Sequence, residues 1–407
     1  MNFLAELAEG LSISWNAIRA NKLRSVLTTL GIVIGIVTVT LMGSALEGLN
    51  RAFVTSISFI GADVLYVQTF AWGPRSDEEW QRMRKRRGIT MAQAGQVEKE
   101  FTLARAVAPV YGTRRMIKYK KRNAGVTVIG STEQLFLTGG LTLAGGRFFS
   151  EADADGGRPV CVIGSEVATN LLSGEFPLGQ KITIDQRSFE IVGVLEKQGG
   201  LFSGGFDNQV IIPVPQFTAF VNAREVDQIQ VKLGGVADLD NATEELRAVL
   251  RKIRRLAPTE PDDFAINQQG QILALVHRVT GTIAAVGLFI TGLSLFVGGI
   301  GIMNIMFVSV AERTREIGIR KAIGAKRRTI LLQFLIEAAT ICLIGGAVGL
   351  GIAWPITLVM QRFFPATMSP AIAGIALLVS LVTGVVSGFL PAWRAARMNP
   401  VDALRNE

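Results

Sequence analysis

Two long apolar runs separated by a short basic stretch limit the folds open to this chain more than any other feature. Residues 279–311 contain no Asp, Glu, Lys or Arg, and residues 329–360 contain one charged residue, Glu337. About 20 apolar helical residues cross the ~30 Å hydrocarbon core of a bilayer, so each run is long enough to span a membrane. Residues 25–47 and 371–392 are two further runs of this kind. The sequence therefore predicts a membrane bundle of four transmembrane helices.

The composition supports this class of protein. The chain is 49% hydrophobic and 18% charged, whereas globular proteins are about a quarter charged. Residues 48–278 are rich in charges and contain no apolar run long enough to cross a bilayer. We therefore expect a single large domain outside the membrane, between the first and second spans.

The Lys and Arg residues outside the large domain predict its orientation. Of the 14 that lie outside residues 51–278, 13 lie before the first span, in the 312–328 stretch or after the fourth span, and the 361–370 connection has only Arg362. Because Lys and Arg collect on cytoplasmic loops, both termini, 393–407 included, and the 312–328 stretch are predicted to be cytoplasmic. The large domain and the 361–370 connection are then extracytoplasmic.

Residues 1–24 are predicted to form a cytoplasmic amphipathic helix. A helix lying on the membrane surface and a simple extension of the first span explain the pattern equally well. Glu6 and Glu9 stand where a signal peptide would be positive, and the apolar run exceeds the about 7–15 residues of a signal peptide, so we interpret the first span as a retained anchor. The apolar positions at helical spacing are Leu4, Leu7, Leu11, Trp15 and Ile18.

The large domain is predicted to be mixed α/β, with two subdomains. One is built from about 51–140 and 222–275, and the other, about 141–221, is inserted into it. Thr90 and Gln93 form a capping box for a helix reaching about Phe101. The other predicted elements are a hairpin over 114–131 turning at 123–125, a helix over 238–255, and strands over 63–68, 160–163, 181–185, 189–195, 227–233 and 264–267.

No residue pattern for catalysis or metal binding is present in the sequence. The single histidine, His277, lies at the entrance to the second span, and Cys161 and Cys342 fall in different predicted regions, so no disulfide can form within the large domain. The stretch Gly174–Lys181 has Gln and Lys where a phosphate loop needs Lys and then Ser or Thr. We expect a chain that is not an enzyme, binds no metal or cofactor, and has no nucleic-acid partner.

The predicted spans contain small-residue pairs that allow helices to approach closely. They favour a compact bundle or a dimer, and Asn304 is a candidate for an interhelical hydrogen bond. The charge-free run 279–311 would be roughly 50 Å long as a helix, more than the bilayer core needs, so we expect it to project beyond the membrane. The glycine pairs are Gly31 with Gly35, Gly345 with Gly349, and Gly384 with Gly388.

Two features leave alternatives open. Glu337 is either a functional intramembrane carboxylate or, in the interpretation we favour, a residue near the cytoplasmic interface paired with one of the basic residues at 326–328. The segment Trp72–Gly88 is a candidate mobile loop. A solvated basic surface is the favoured interpretation, and contact with anionic envelope lipid, glycan or a partner is the alternative.

Two segments resemble a known family. Residues 301–325 read GIMNIMFVSVAERTREIGIRKAIGA and residues 391–405 read PAWRAARMNPVDALR. Both closely resemble the macrolide-exporter-type (MacB/FtsX-like) permeases of ABC transporters, and the resemblance extends over nearly the whole chain. The large domain contributes the motifs GGRFF at 145–149, VIGS at 162–165, PLGQ at 177–180 and VGV at 192–194.

The resemblance implies the membrane subunit of an ABC transporter in a bacterial inner membrane. It implies a separate cytoplasmic ATPase, in two copies, that uses ATP and Mg, and a second copy of the permease. It also implies membrane lipid around the helices and, for export, a periplasmic adaptor and an outer-membrane channel. The implied mechanism is mechanotransmission, in which ATP-driven helix movements reshape the external domain. Efflux is the leading role, and the alternatives are a transducer regulating an envelope enzyme such as a cell-wall hydrolase, or a lipoprotein-handling permease.

The family match also predicts that the 312–328 stretch docks on the ATPase. Its charged residues would form ion pairs and hydrogen bonds, its isoleucines would be apolar anchors, and its glycines would permit close approach or a tight turn. The alternative is a loop whose charge only sets the topology. The candidate coupling residues are Glu312, Arg313, Arg315, Glu316, Ile317, Gly318, Ile319, Arg320, Ile323 and Gly324.

Overall fold

The computed structural model describes residues 22–57, 61–73, 76–198, 206–221, 223–235, 239–362 and 366–405. The chain divides into two compact units, one of residues 51–278 and one of residues 1–50 together with 279–407. Most of the amphipathic helix predicted at 1–24 lies outside the described residues.

The described residues of the unit 51–278 include twelve strands. In chain order they are β1 Val64–Gln68, β2 Ile89–Thr90, β3 Ala104–Tyr119, β4 Arg122–Ser131, β5 Leu143–Gly146, β6 Val160–Ile163, β7 Lys181–Ile184, β8 Arg187–Leu195, β9 Gln209–Pro213, β10 Glu225–Val226, β11 Gln228–Leu233 and β12 Ala265–Asn267. Ten form one mixed sheet in the order β12-β1-β11-β3-β4-β9-β6-β8-β5, with β7 paired to both β3 and β8, and β2 pairs with β10 separately. The mixed α/β fold predicted for this domain is confirmed.

Thirteen helices are described. They are α1 Lys22–Ile57, α2 Asp77–Arg84, α3 Met91–Glu100, α4 Leu135–Thr138, α5 Glu151–Asp155, α6 Ser165–Val167 (continued by a π-helical turn, Ala168–Leu172), α7 Val214–Thr218, α8 Leu239–Ile253, α9 Gln269–Glu312, α10 Thr314–Ala322, α11 Arg327–Met360, α12 Pro370–Arg397 and α13 Pro400–Arg405.

Six strands close into a barrel. The pairings run β3–β4, β4–β9, β9–β6, β6–β8, β8–β7 and β7–β3, which returns to the first strand. Alternate residues along each strand point inward and belong to one fully buried cluster. Because the ring of pairings is closed, each of the six strands has a hydrogen-bonded partner on both sides, and none is an edge strand of the barrel. Interior side chains with no exposed surface include those of Ile117, Val128, Cys161, Ile182, Ile191 and Val210.

The other end of the sheet is a split β-α-β unit. Strands β11 and β12 both pair antiparallel with β1, one on each side of it. They therefore run parallel to each other, and α8 connects them. The sequence predicts these two strands and the helix between them, but it does not predict that β1 lies between the two strands. The strands of the two predicted subdomains share one continuous sheet through the parallel β4–β9 pair.

The predicted hairpin forms, but the predicted position of its turn was wrong. The turn lies at Lys120 and Lys121, because Tyr119 pairs with Arg122, and not at 123–125. Lys120 adopts φ +50, and its ammonium lies 2.6 Å from the carboxylate of Glu175. The glycine at 125, which suggested the turn, is instead paired within the ladder.

A buried carboxylate fixes the loop after β5. Asp153 is 2% exposed and accepts hydrogen bonds from Arg147 at 2.7 Å and Arg158 at 3.2 Å. It also forms a capping box with Ser150 at the start of α5. The hydrogen bond from Arg147 holds the pKa of this carboxyl far below its usual range, helped by Ser150 and Arg158.

The segment Trp72–Gly88 is not simply a loop. It contains α2, which begins in a capping box between Ser76 and Glu79. The Trp80 ring lies 6.0 Å from the Phe70 ring, and the indole of Trp72 donates to Gln68 at 2.8 Å. The Asp and Glu residues of the first turn favour a helix here.

Four helices, α1, α9, α11 and α12, are long and apolar enough to cross a membrane, as the sequence predicted. Within residues 1–50 and 279–407 they pack through small residues. A Cβ at Gly31 would lie 2.9 Å from Cα of Gly298, and a Cβ at Gly384 would lie 2.9 Å from the carbonyl oxygen of Ala338. The remaining predicted glycines also face a neighbouring helix: Gly35 meets Leu295, Gly345 meets Ile32, Gly349 meets Ile36 and Gly388 meets Ala338.

Candidate coupling site

The basic stretch predicted as a loop is mostly a helix, α10. One residue, Arg313, separates it from the end of α9, and Thr314 donates back to the carbonyl of Ala311 at 2.8 Å. Its last turn closes in a Schellman motif, since the amides of Gly324 and Ala325 donate to the carbonyls of Lys321 and Arg320 at 3.0 Å each. Gly324 has φ +102, a conformation that glycine adopts at little cost. The stretch therefore has a fixed shape.

One face of α10 is packed against the rest of the unit formed by residues 1–50 and 279–407, called the membrane unit below; the unit of residues 51–278 is called the external unit. Ile317 is 4% exposed and belongs to the same buried cluster as Ile330 and Phe334 of α11. Gly318 faces α13, where a Cβ would lie 2.8 Å from the Cβ of Ala403. Glycine at this position therefore allows the C-terminal helix to pack directly on α10.

Polar contacts fasten the same helix at both ends. Arg313 forms an ion pair with the buried Glu337 of α11 at 3.3 Å. Arg320 donates to Gln333 at 2.8 Å and pairs with Glu316 at 2.5 Å. These contacts tie α10 to α11 at two points, which are about two helical turns apart on the side of α10 and about one turn apart on α11.

The C-terminal part of α10 is also tied to the end of α12. The ammonium of Lys321 donates to the carbonyl of Met398 at 2.6 Å. Desolvation lowers the pKa of Lys321, and the charge of Arg327 adds to this effect.

The opposite face of α10 is exposed and partly apolar. Ile319 is 43% exposed and Ile323 is 81% exposed, one turn apart on the helix. Arg315, Glu312 and Gly324 are exposed around them. Isoleucines held at fixed positions on a rigid helix are suited to pack into a groove on another protein.

The structure thus separates the predicted coupling residues into two groups. Ile317, Gly318, Arg313 and Arg320 make contacts within the chain and position the helix. Ile319 and Ile323, with the exposed charged residues, form the outward face. Sequence reasoning missed Lys321, Gln333 and the packing of α13. The tail motif was recognised, but nothing in its pattern showed that it lies against α10.

The structure corrects the predicted partner of Glu337 and does not test the predicted role of Asn304. Glu337 is buried, and its partner is Arg313 and not a residue of 326–328, because the start of α10 brings Arg313 next to α11. Asn304 is exposed on α9, and no hydrogen bond of its side chain occurs within the described part of the chain. Its role in a contact between helices remains a prediction.

The described residues contain no group of three or more His, Cys, Asp or Glu side chains placed to hold a metal ion. The segment Gly174–Lys181 leads into strand β7, whereas a phosphate loop presents its backbone amides at the start of a helix. The coupling region exposes charged and apolar side chains, Arg315, Ile319 and Ile323 among them.

Two models of known protein families match this chain, one over most of its N-terminal part and one over its C-terminal part. The family model for the MacB-like periplasmic core domain matches residues 25–249, and that for the FtsX-like permease C-terminal region matches residues 288–400.

Curated relatives match along 99% of the chain. The macrolide export ATP-binding/permease protein MacB of Neisseria gonorrhoeae is 34% identical over 409 residues, which are 61% of its own length. The pyoverdine export ATP-binding/permease protein PvdT of Pseudomonas savastanoi pv. phaseolicola is 32% identical, with 60% of its length covered. The chain thus spans about three fifths of the length of these relatives.

Among solved structures, the periplasmic region of MacB from Actinobacillus actinomycetemcomitans aligns with 55% of this chain and 97% of its own, at 19% identity and a TM-score of 0.45. The extracellular domain of the ABC-type transporter YknZ aligns with 50% of this chain and 98% of its own, at 16% identity and a TM-score of 0.41.

Proposed function

Since the chain belongs to the MacB/FtsX-like family of ABC transporter permeases, we propose that it is the membrane part of an export system in a bacterial inner membrane. ATP hydrolysis takes place on an ATPase with its own Mg, and this chain converts the movement of that ATPase into a change of its external domain. Residues 51–278 are extracytoplasmic in this proposal, and both termini and α10 face the cytoplasm.

The observation that carries the proposal is the two-sided character of α10. Its inner face is fastened by Ile317 and by the Arg313–Glu337 pair at 3.3 Å. Its outer face exposes Ile319 and Ile323. A helix that only set the topology would need positive charge alone, and it would not need apolar side chains held in fixed positions. This arrangement supports docking of the ATPase on α10.

The length and continuity of α9 support transmission of the docking movement. The helix runs unbroken from Gln269 to Glu312, which is roughly 66 Å at 1.5 Å per residue. One residue, Gln268, separates its start from β12, and one residue separates its end from α10. This continuity supports transmission of a displacement of α10 along α9, because rigid secondary elements carry coupling between sites.

The direction of transport rests on the names of the relatives. Both macrolide export and pyoverdine export describe the removal of small molecules, which favours efflux over signalling to a cell-wall hydrolase and over lipoprotein handling. Two ATPase copies, a second permease copy, a periplasmic adaptor and an outer-membrane channel complete the proposed assembly. Lipid or the second copy covers the side chains of α9 that are exposed within one chain, such as Phe289 and Phe296.

A cysteine-labelling experiment tests the orientation and the docking together. Cys161 and Cys342 are both buried, so they leave little background. We would introduce Ile323→Cys on α10 and Leu137→Cys in the external unit as the matched position, since both native side chains are exposed. A membrane-impermeant maleimide should label Ile323→Cys only in inside-out vesicles, and Leu137→Cys only in spheroplasts with the outer membrane opened.

The same variants report the docking. Adding the ABC ATPase that co-purifies with the unmodified chain should protect Ile323→Cys in inside-out vesicles and leave Leu137→Cys unaffected in spheroplasts. Labelling of Ile323→Cys from the outside would refute the orientation. Equal labelling with and without bound ATPase would refute the docking on α10.

A further inference from the structure

The external unit contains a cavity on one face of its sheet, separate from the coupling site. The cavity has a volume of about 170 Å³. Strands β1, β11, β3, β4 and β9 form its floor, and the segment from Leu135 to Leu141, which includes α4, forms a wall. The floor therefore crosses the β4–β9 junction, where the strands of the inserted segment join the rest of the sheet.

The lining is mainly apolar and carries no formal charge. Val110, Ile129 and Ile211 lie on the floor, and Leu135 and Leu141 lie on the wall. Among the described lining residues, none is Asp, Glu, Lys, Arg or His, and Tyr66 is the one titratable group. Burial raises the pKa of the Tyr66 phenol, and the carboxylate of Asp63 adds to this. The cavity is therefore uncharged across the physiological pH range.

Three glutamine side chains supply polar groups to this apolar lining. Gln209 is 3% exposed, and its side-chain amide has no hydrogen-bond partner among the described residues. The side-chain oxygens of Gln228 and Gln230 accept hydrogen bonds from Gln68 at 2.9 Å and Thr138 at 2.7 Å. Their side-chain nitrogens have no acceptor within the described residues.

These groups differ from ordinary core residues. None of these amide atoms is among the fully buried side-chain atoms that lack a hydrogen-bond partner, so the unbonded amide groups are open to the cavity, where water or a ligand can bond to them. Three amides with unused hydrogen-bonding capacity around one apolar cavity are typical of a binding site, where a few polar groups orient a mostly apolar ligand. Free N–H groups would recognise carbonyl or hydroxyl oxygens.

We propose that this cavity is a binding site for an uncharged, largely apolar small molecule that carries carbonyl or hydroxyl acceptors. The side chains of Gln209, Gln228 and Gln230 donate to those acceptors. At about 170 Å³ the cavity is close in size to the roughly 150 Å³ cavity that holds one benzene molecule. It therefore accommodates one ring-sized part of a ligand, and its open side allows the rest of a larger molecule to remain outside. The proposal concerns the external unit alone, and it holds whether or not α10 docks an ATPase.

A pair of photoreactive probes of matched shape tests this proposal on the full chain in lipid nanodiscs. The neutral probe is 4-benzoylbenzamide, and the charged probe is 4-benzoylbenzoate. Each would be added below saturation and irradiated, and the labelled peptides would be mapped by mass spectrometry. We expect the neutral probe to label peptides that contain Leu135–Leu141 or Gln209–Ile211. The charged probe should label them at least about ten-fold less, because the cavity has no counter-charge.

Two variants with matched controls locate the site. Leu141→Trp fills the cavity and should abolish labelling of these peptides, whereas Leu137→Trp adds the same bulk at a side chain that is 57% exposed and should leave it unchanged. Gln209→Leu keeps the size of the side chain but removes the donor. It should weaken labelling by 4-benzoylbenzamide about five-fold, and the exposed Gln96→Leu should not.

The outcomes decide the proposal in either direction. Unchanged unfolding temperatures would show that the variants are folded, and Gln209→Leu provides a second reading if Leu141→Trp does not fold. Equal labelling by both probes, labelling confined to peptides of the membrane helices, or labelling that Leu141→Trp and Gln209→Leu leave unchanged would each overturn the proposal.

Discussion

The docking face of α10 can be tested by removing its two exposed isoleucines together. The perturbation is the double substitution Ile319→Ser with Ile323→Ser. Both side chains are already exposed in the chain, at 43% and 81%, so the substitutions remove little packing within α10. The buried Ile317 and the Arg313–Glu337 pair are left intact. We therefore expect normal membrane levels and an unfolding temperature close to that of the unmodified chain.

The size of the effect follows from the exposed area. The two exposed fractions together amount to somewhat more than one fully exposed isoleucine. Burying one such side chain in an interface stabilises it by about 2–3 kcal/mol, which corresponds to roughly a 30- to 150-fold change in affinity. The double variant should bind the ATPase more weakly by that factor, and transport should fall in proportion at limiting ATPase concentration.

The measurement is a titration of the purified ATPase against the chain in nanodiscs, by biolayer interferometry. Leu137→Ser, an exposed leucine of the external unit, is the control and should bind normally. Ile317→Ala is a contrasting variant, because it creates a cavity in the core and should lower stability by about 2–5 kcal/mol. An affinity within three-fold of the unmodified chain in the double variant would show that α10 is not the docking element.

Three further predictions concern stability. Gly384→Leu should destabilise the membrane unit by about 1–3 kcal/mol through overpacking. Gly374→Leu on the same helix should not, because a Cβ there meets no atom within 4 Å. Equal unfolding temperatures of the two variants in detergent would contradict this prediction. Arg313→Ala leaves its buried carboxylate partner, Glu337, unpaired and should cost about 3–5 kcal/mol, whereas the exposed Arg315→Ala should cost about 0.5 kcal/mol or less. Equal unfolding temperatures of the two variants in the same thermal assay would contradict this prediction. Asp153→Asn should lower the unfolding temperature at pH 7, and the difference from the unmodified chain should shrink as pH falls below about 4. The reason is that a carboxylate with a lowered folded-state pKa stabilises the fold above its usual pKa and loses that contribution on protonation. A difference in unfolding temperature that does not change with pH would contradict the role of the charge.

Local sequence signals predicted much of the fold. The four apolar runs predicted the four long helices, since their length and lack of charge leave few other structures. The capping box at Thr90 and Gln93 predicted the start of α3, because it depends only on residues three apart. The first strand was predicted at residues 63–68 and is observed as β1, Val64–Gln68. The predicted start of this strand was therefore accurate to one residue.

Long-range pairing decided the rest of the external unit. The closure of six strands into a barrel depends on β3 being long enough to pair with β11 near its start and with β7 near its end. Nothing in the sequence of β3 identifies either partner. The hairpin turn also contacts a residue distant in sequence, because Lys120 in the turn forms an ion pair with Glu175.

The candidate site shows the same division. The sequence by itself determined that residues 312–328 are basic and contain three isoleucines, and the family resemblance predicted a docking role for them. Only the tertiary structure decided which isoleucine faces the core and which face outward. Ile317 is buried because its side of α10 packs against α11, and the neighbouring Gly318 is covered by α13, about 80 residues further along the chain. The tertiary structure also decided that Arg313 pairs with Glu337. Sequence spacing specifies which residues share one helix face, but which face is buried depends on the element that packs against it.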